Sequence, residues 1–491
     1  MSVAPGEDMH GVEADLRTAV PDVALLRASG APLIAGNRLR VLQDGKENYS
    51  EWEAAIRTAR ETIHLEMYII HNDQIGRRFR DLLTEKAREG VKVRVLYDWF
   101  GAYRVFGRNM WKPLLDAGGE VRVANPPRIS SLLGWVRRDH RKLLTIDRAV
   151  AFIGGLCIGD AWVGTPETKT EPWRDTGVMI HGPAVAEAER AFAAAWQMAG
   201  GDIGDSAVPP PGVAEGPVAV RIVAASPETA GLYRLDLLIA AAAQQYLWLT
   251  DAYFLGTSAY IQSLRAAAMD GVDVRLLVPH GSDIQWIANF SRTSYRSLLE
   301  AGVRVFEWNG PMVHAKTAVC DGLWARVGST NLNVSSWLGN WELDVVIENE
   351  EVAEQIGEMF LEDLKNATEV VLTERKKVRP VHRLPRPQQG RIIRSSGQSV
   401  FMRAVTAGSA VNAAVTGKRR LSRAESSSLF SIGIVLCAIA LAAFFLPTIF
   451  AYALSALFGI IGVFLLQGAL KLRFSKSEDE GNDASADMKQ G

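Results

Sequence analysis

Residues 140–147 read His140-Arg141-Lys142-Leu143-Leu144-Thr145-Ile146-Asp147, and residues 314–321 repeat the frame as His314-Ala315-Lys316-Thr317-Ala318-Val319-Cys320-Asp321. Both stretches hold His, Lys and Asp at one spacing and turn apolar after the lysine. Such a composition predicts buried strands, on which side chains two residues apart leave by the same face. His and Lys of each stretch then point at one spot. The Asp has the other parity and precedes a turn, so it completes the motif as a supporting residue rather than a reactive one. With 8 His in the chain, one chance match to the pattern is expected about once in a hundred such sequences, and two at equivalent places mark a duplication.

Working outward, the duplication covers about the first 370 residues. YSEWEAAIRTARE, TIHLEMYII, IGRRFRDLLTEKAREG and VKVRVLYD are answered by LDLLIAAAAQQ, YLWLTDAYF, a helix ending AAAMDG, and VDVRLLVP. LLDAGGEVRVANPP returns as LLEAGVRVFEWNGP, and WRDTGVMIHGPAVAEAERAF more loosely as WELDVVIENEEVAEQIGEMF. Strands alternating with helices predict an α/β chain with helices on the sheet faces, here two tandem α/β/α sandwich domains related by a pseudo-twofold axis. The expected division is an N-terminal extension (1–36), a first domain (37–200), a Pro/Gly-rich linker (201–216), a second domain (217–370), a basic linker with a possible interfacial helix (371–428), an apolar hairpin (429–470) and a disordered tail (471–491).

The apolar hairpin is read from LFSIGIVLCAIALAAFFL and IFAYALSALFGIIGVFLLQGAL, two uncharged runs separated by Pro447-Thr448. Each is long enough, at 1.5 Å per residue, to cross a hydrocarbon core of roughly 30 Å. Lys418, Arg419, Arg420 and Arg423 precede the pair and Lys471, Arg473 and Lys476 follow it, which places both flanks and the large domain before them in the cytoplasm. The chain of 491 residues is 48% hydrophobic and 22% charged, a packed globular composition and not a disordered or collagenous one. Its net charge of −1 gives no whole-chain support to nucleic-acid binding. Three cysteines make no disulfide framework, and the acidic start MSVAPGEDMHGVEADLR has no apolar core of a secretory signal.

If the two motif strands meet across the pseudo-twofold axis, two imidazoles face each other between two ammonium groups. That constellation suits a phosphodiester. One His attacks phosphorus, the other protonates the leaving alkoxide, and Lys142 and Lys316 stabilise charge on the non-bridging oxygens. The resulting phosphohistidine passes its group to water or an alcohol. This scheme needs no metal and no cofactor, in keeping with the lack of a carboxylate or Cys/His ligand cluster in the sequence.

The sequence resembles the phospholipase D superfamily, specifically its bacterial cardiolipin synthase branch, from about Asn37 to Phe360. The likeness rests on both H-x-K-x(4)-D motifs, on Gly154-Gly155 and Gly328-Ser329-Thr330-Asn331 after them, and on IHLEMYII, GVKVRVLYDWFG, PWRDTGVMIHGPAV and SSWLGNWELDV. The resemblance implies a reaction centre of His140, Lys142, His314 and Lys316, with Asn331 on the phosphate and His140 favoured as the nucleophile. It also implies Asp175 as the orienting carboxylate of His140, Glu342 as that of His314, and Glu66 as a support of the fold. The implied activity is a membrane-anchored phosphatidyltransferase that makes cardiolipin and glycerol from two phosphatidylglycerols at the bacterial inner membrane. Its partners would be phospholipids and the membrane. A phospholipase D releasing phosphatidic acid is the alternative; a nucleic-acid phosphodiesterase and a scaffold with a relic site stand further off.

Two features depart from that family. Cys157 stands where its members usually have Asn, and the apolar hairpin is C-terminal where theirs is N-terminal. Among single residues, His64 reads as a packed strand residue. Trp99, Trp135 and Trp286 are candidates for a lipid entrance. Arg137 and Arg138 are candidates either for lipid phosphates or for a solvated loop.

Overall fold

The computed structural model describes residues 20–380 except 104, 106–108, 127–136, 165–169, 204–211, 282–284 and 373–377. The expected hairpin, most of the basic linker, the tail and the first 19 residues of the chain lie outside the described residues. Among the described residues no helix is long and apolar enough to cross a membrane.

The first half contributes strands β1 (Ile34–Gln43), β2 (Thr62–Met67), β3 (Lys92–Asp98), β4 (Glu120–Ala124), β5 (Arg138–Asp139), β6 (Lys142–Ile146), β7 (Val150–Gly154) and β8 (Thr176–His181). The second contributes β9 (Val218–Ala225), β10 (Tyr246–Thr250), β11 (Asp273–Pro279), β12 (Arg304–Trp308), β13 (Thr317–Cys320), β14 (Trp324–Gly328), β15 (Asn340–Glu348), β16 (Ala367–Leu372) and β17 (Val378–Pro380). The first sheet runs β4-β3-β2-β6-β7-β8-β1, parallel across β2, β3 and β4 and antiparallel elsewhere. The second runs β9-β15-β14-β13-β10-β11-β12-β16-β17, with β10, β11 and β12 parallel. Parallel neighbours need crossovers, and the helices Gln74–Arg88 and Ser258–Met269 provide the first in each half, from β2 to β3 and from β10 to β11. Each begins at a side-chain cap: Asp73 accepts from the Gly76 N–H (2.9 Å) and Thr257 from that of Tyr260 (3.2 Å).

Sheet register and repeated motif coincide. Ile146 lies opposite Ile63, and Cys320, which holds the same place in the motif, lies opposite Leu247. β6 and β7 alternate as strands must. Leu143, Ala151 and Ile153 face a shared core with Val319, Ala325 and Val327 of the other sheet, while Leu144, Ile146 and Phe152 face the outer helices of their own half. Burial on both faces explains why these strands read as nearly continuous apolar runs.

Two stitches hold the halves together. β1 pairs with β8 from Arg38 to Gln43 and reaches β9 at Ile34 and Asn37. The helix Asp22–Ser29 packs against the helix Gly231–Ala242 of the second half, and Arg221 donates to the Ala31 carbonyl (3.1 Å) and pairs with Asp22. The segment before the first repeat therefore packs with the second, which no periodicity in it announced.

Candidate active site

The strands β6 and β13 begin at Lys142 and Thr317, so His140, His314 and Lys316 precede regular strand. The expectation that the whole motif is strand is corrected here, for a physical reason. Up to the histidine, the backbone of each lead-in is bonded to the opposite half rather than to its own sheet. β5 lies parallel to Asn340 and Trp341 of β15, and the His140 N–H donates to the Trp341 carbonyl (2.9 Å). Likewise the Arg174 N–H donates to Met312 (2.9 Å) and the His314 N–H to Arg174 (2.7 Å).

This crossing changes the orienting partners. The Nδ1 of His140 lies 2.8 Å from Glu342 Oε2, and the Nδ1 of His314 lies 2.7 Å from Asp175 Oδ2. The resemblance paired them the other way, Asp175 with His140 and Glu342 with His314. The assignment is exchanged because Asp175 leads into β8 and Glu342 stands near the start of β15, which is where the sister lead-in docks. Glu342 also accepts from Ser329 Oγ (2.6 Å) and Asn340 Nδ2 (3.2 Å); Asp175 accepts from Trp162 Nε1 (2.8 Å). Both carboxylates are fully buried.

The lysines are arranged alike in the two halves. Lys142 Nζ donates to the His140 carbonyl (2.5 Å) and lies 5.1 Å from the centre of the Tyr68 ring. Lys316 Nζ donates to the His314 carbonyl and lies 5.9 Å from that of Tyr253. An ammonium over an aromatic face is held by the ring quadrupole without being neutralised. Sequence reasoning passed over these tyrosines, although EMYII and DAYFL carry them at the same end of repeated strands.

Electrostatics ties the four groups into one site. Burial pushes the His140 imidazole well below its ordinary range, and the charges of Lys142 and Lys316 push it further. Burial takes His314 down to about 3, with Lys316 and Lys142 adding to it and Asp175 opposing. Each ring thus feels an ammonium from both halves. Burial also lowers Lys316 to about 8 against the pull of Asp175. The carboxylates differ. Burial raises Glu342 to about 7, more than Lys142 can offset, whereas His314, Lys316 and Trp162 outweigh burial at Asp175 and hold it below its usual value.

Asn331 is 3% exposed and its Oδ1 has no hydrogen-bond partner. Cys157 holds the matching place in the first half, since Gly154 and Gly328 occupy the same position on β7 and β14. Its thiol is fully buried and pushed up by that burial, and its carbonyl accepts from Tyr49 Oη (2.6 Å). Gly155 is required by the site itself, because a Cβ there would lie 2.1 Å from Asp175 Oδ1. Among the described residues no three His, Cys, Asp or Glu side chains are grouped as metal ligands.

Asp147 and Asp321, which complete the two motifs as supporting residues, lie at the far ends of their strands. Asp147 accepts from the backbone N–H groups of Arg60 (2.8 Å), Glu61 (2.7 Å) and Thr62 (2.9 Å). Asp321 accepts from Gln244 (2.9 Å), Gln245 (2.9 Å) and Tyr246 (2.8 Å). Both have positive φ, 51° and 50°, as the turns after β6 and β13 require. The five residues of β6 span about 16 Å and the four of β13 about 13 Å, which separates these aspartates from the imidazoles. Asp147→Ala is expected to cost ~1–3 kcal/mol in denaturant unfolding by stranding three donors, with turnover per folded molecule retained.

His64 packs as expected, with Nδ1 2.9 Å from Glu189 and its ring stacked on Phe192. Arg138 is 5% exposed, its guanidinium 5.1 Å from the Trp99 ring centre, 4.9 Å from that of Phe100 and 3.8 Å from Asp98. It is therefore not a surface phosphate ligand. Arg137 pairs with Glu228 (3.0 Å). Trp135 and the Trp286 side chain lie outside the described residues.

Two sheets of one topology, with paired His–carboxylate and Lys groups drawn from both halves, define a two-domain protein of the phospholipase D type. The description "Cardiolipin synthase, PLD-like domain" matches residues 53–196 and 238–364. The chain is 31% identical over 345 residues to a cardiolipin synthase of Alkalihalophilus pseudofirmus, covering 69% of this chain and 68% of that one. It is 32% identical over 371 residues to cardiolipin synthase A of Pseudomonas fluorescens, covering 74% and 75%. The chain belongs to the PLD-like cardiolipin synthase family. A crystal structure of phosphatidylserine synthase from Haemophilus influenzae shares the fold, with a TM-score of 0.55 at 14% identity over 71% of this chain and 91% of that one.

Proposed function

We propose that this chain is a cardiolipin synthase in which His140 carries the phosphatidyl group. Its Nε2 attacks the phosphorus of one phosphatidylglycerol, the P–O bond to glycerol breaks, and His314 gives the leaving oxygen its proton. Neutral His314 then takes the proton from the primary hydroxyl of a second phosphatidylglycerol, whose oxygen displaces His140 to give cardiolipin. Lys142 and Lys316 hold the non-bridging oxygens, and Asn331 donates from the second half. The observation that carries this reading is the pair of imidazoles from different halves, each tied through Nδ1 to a carboxylate of the other.

The roles follow from the unequal carboxylates. Buried between two ammonium groups, both rings are neutral before substrate arrives. A bound phosphodiester brings a negative charge that offsets the lysines. The ring that then takes up a proton is the one beside a persistent anion, His314 with Asp175. His140, beside a carboxyl raised to about 7, stays an unprotonated nucleophile.

The two repeats act as the domains 37–200 and 217–370, and residues 429–470 anchor the enzyme in the bacterial inner membrane with the site on the cytoplasmic side. An anchor keeps enzyme and both lipids in one layer, so turnover needs no tight lipid binding. Product analysis on liposomes tests the activity. Phosphatidylglycerol should yield cardiolipin and glycerol, whereas phosphatidic acid as the main product would mean that water takes the second step. Because Lys316 is charged only below about pH 8, kcat/KM should fall as pH rises through that value, and Lys316→Met should remove this limb along with most of the rate.

A further inference from the structure

Beside the His140 lead-in lies a buried group of charges that the mechanism above does not use. Glu66 on β2 is fully buried and neither of its carboxyl oxygens has a hydrogen-bond partner. Asp139, the residue before His140, is 3% exposed and its Oδ2 is likewise unpartnered. The nearest cation is Arg141, whose Nη1 stands 3.9 Å from Glu66 Oε1, beyond hydrogen-bond reach. Three of its five N–H groups are taken by backbone carbonyls, those of Glu342 (3.3 Å), Ala191 (3.1 Å) and Ala225 (3.3 Å). Arg138 serves Asp98, which also accepts from Phe100 and Gly101. Further along the same face of β2, His64 is taken by Glu189.

Three carboxyls, Glu66, Asp98 and Asp139, therefore surround two guanidinium groups, Arg138 and Arg141. Ionised throughout, the cluster would hold an uncompensated buried charge, which is costly. The Glu66 and Asp139 carboxyls lie within hydrogen-bonding reach of each other. Among the described residues the one donor to either is the Arg141 backbone N–H, 3.4 Å from Asp139 Oδ1; the remaining oxygens are satisfied only when one carboxyl brings a proton. We propose that Glu66 and Asp139 share one proton as a buried acid–carboxylate pair that fixes the 138–142 segment and so positions His140 and Lys142. The second half has no equivalent: Val313 and Ala315 stand where the first has Asp139 and Arg141, and Thr250 stands where it has Glu66. Burial and the charge of Asp139 raise Glu66 well above the carboxylate range, while burial and Asp98 take Asp139 to about 6 against the bond to Glu66, as a proton held mainly on Glu66 and shared with Asp139 requires.

The pair is a positioning device and touches no reacting atom. Infrared difference spectra of the full-length protein, without substrate, read it directly. Wild type minus Glu66→Gln should contain the carbonyl band of a protonated carboxyl, distinct from the band that Glu342→Gln removes. Kinetics reads its purpose, which rests on His140 being a reaction-centre residue. Glu66→Gln, with its fixed amide donor, should stay within about threefold of wild type, whereas Glu66→Ala should lose about a hundredfold, mainly in kcat, through a displaced His140. Both variants are compared by melting temperature, and Asp139→Asn should behave as Glu66→Gln does. Absence of the carboxyl band, or a Glu66→Gln as impaired as Glu66→Ala, overturns the proposal. The band needs no turnover, so it stands or falls apart from the lipid chemistry.

Discussion

His140→Ala is expected to leave a folded protein without phosphatidyl transfer, its rate down by on the order of 10⁴ or more, because no other group can form the covalent intermediate. His314→Ala removes the acid rather than the nucleophile, a step worth typically ~10²–10⁴. The two losses separate with an activated phosphodiester whose leaving group needs no proton. On that substrate His314→Ala should still release a stoichiometric burst and accumulate label on His140, while His140→Ala should give none. Label found on His314 in the His140→Ala protein would reverse the roles. Near wild-type transfer by either variant would end the two-histidine mechanism. Melting temperatures complete the test, since each ring packs against aromatics, His140 on Tyr68 and His314 between Trp162 and Trp173.

The groups proposed to react were legible in the sequence because duplication wrote them twice. Spacing alone joins His140 to Lys142 and His314 to Lys316, and the apolar residues after each pair announce a buried strand. The repeat likewise predicted two sheets of one order, which the registers at Ile146 and Cys320 realise. Partners across the axis were not legible. A carboxylate at the start of β8 or β15 has no sequence feature that says which imidazole it meets, because that depends on how the halves dock, and docking is set by the shared core of Leu143, Ile153, Val327 and Leu343. For the same reason the resemblance carried over the right carboxylates in the wrong pairs. Asp147 and Asp321 show the converse, a motif position whose regularity serves a turn.

The second large effect follows from the exchanged partners. Asp175→Asn keeps the shape of the site but replaces the anion beside His314 with an amide. Its NH₂ either disrupts the bond to Nδ1 or fixes the wrong tautomer, and nothing then stabilises the imidazolium; a fall of ~10³–10⁴ in kcat is expected. Glu342→Gln should cost far less, about tenfold to a hundredfold, since Glu342 is already raised to about 7 and Ser329 and Asn340 remain to hold the position. Equal losses would mean that the halves are electrostatically alike and that His140 and His314 are not divided between nucleophile and acid. Pairing is tested separately by unfolding cycles. His140→Ala and Glu342→Gln should be non-additive by ~0.5–3 kcal/mol, and so should His314→Ala and Asp175→Asn. Crossing the sets should bring the coupling close to zero, because neither crossed pair shares a hydrogen bond. If instead His140→Ala couples to Asp175→Asn, each imidazole is held within its own half and the docking that joins the two lead-ins to the sister strands is wrong.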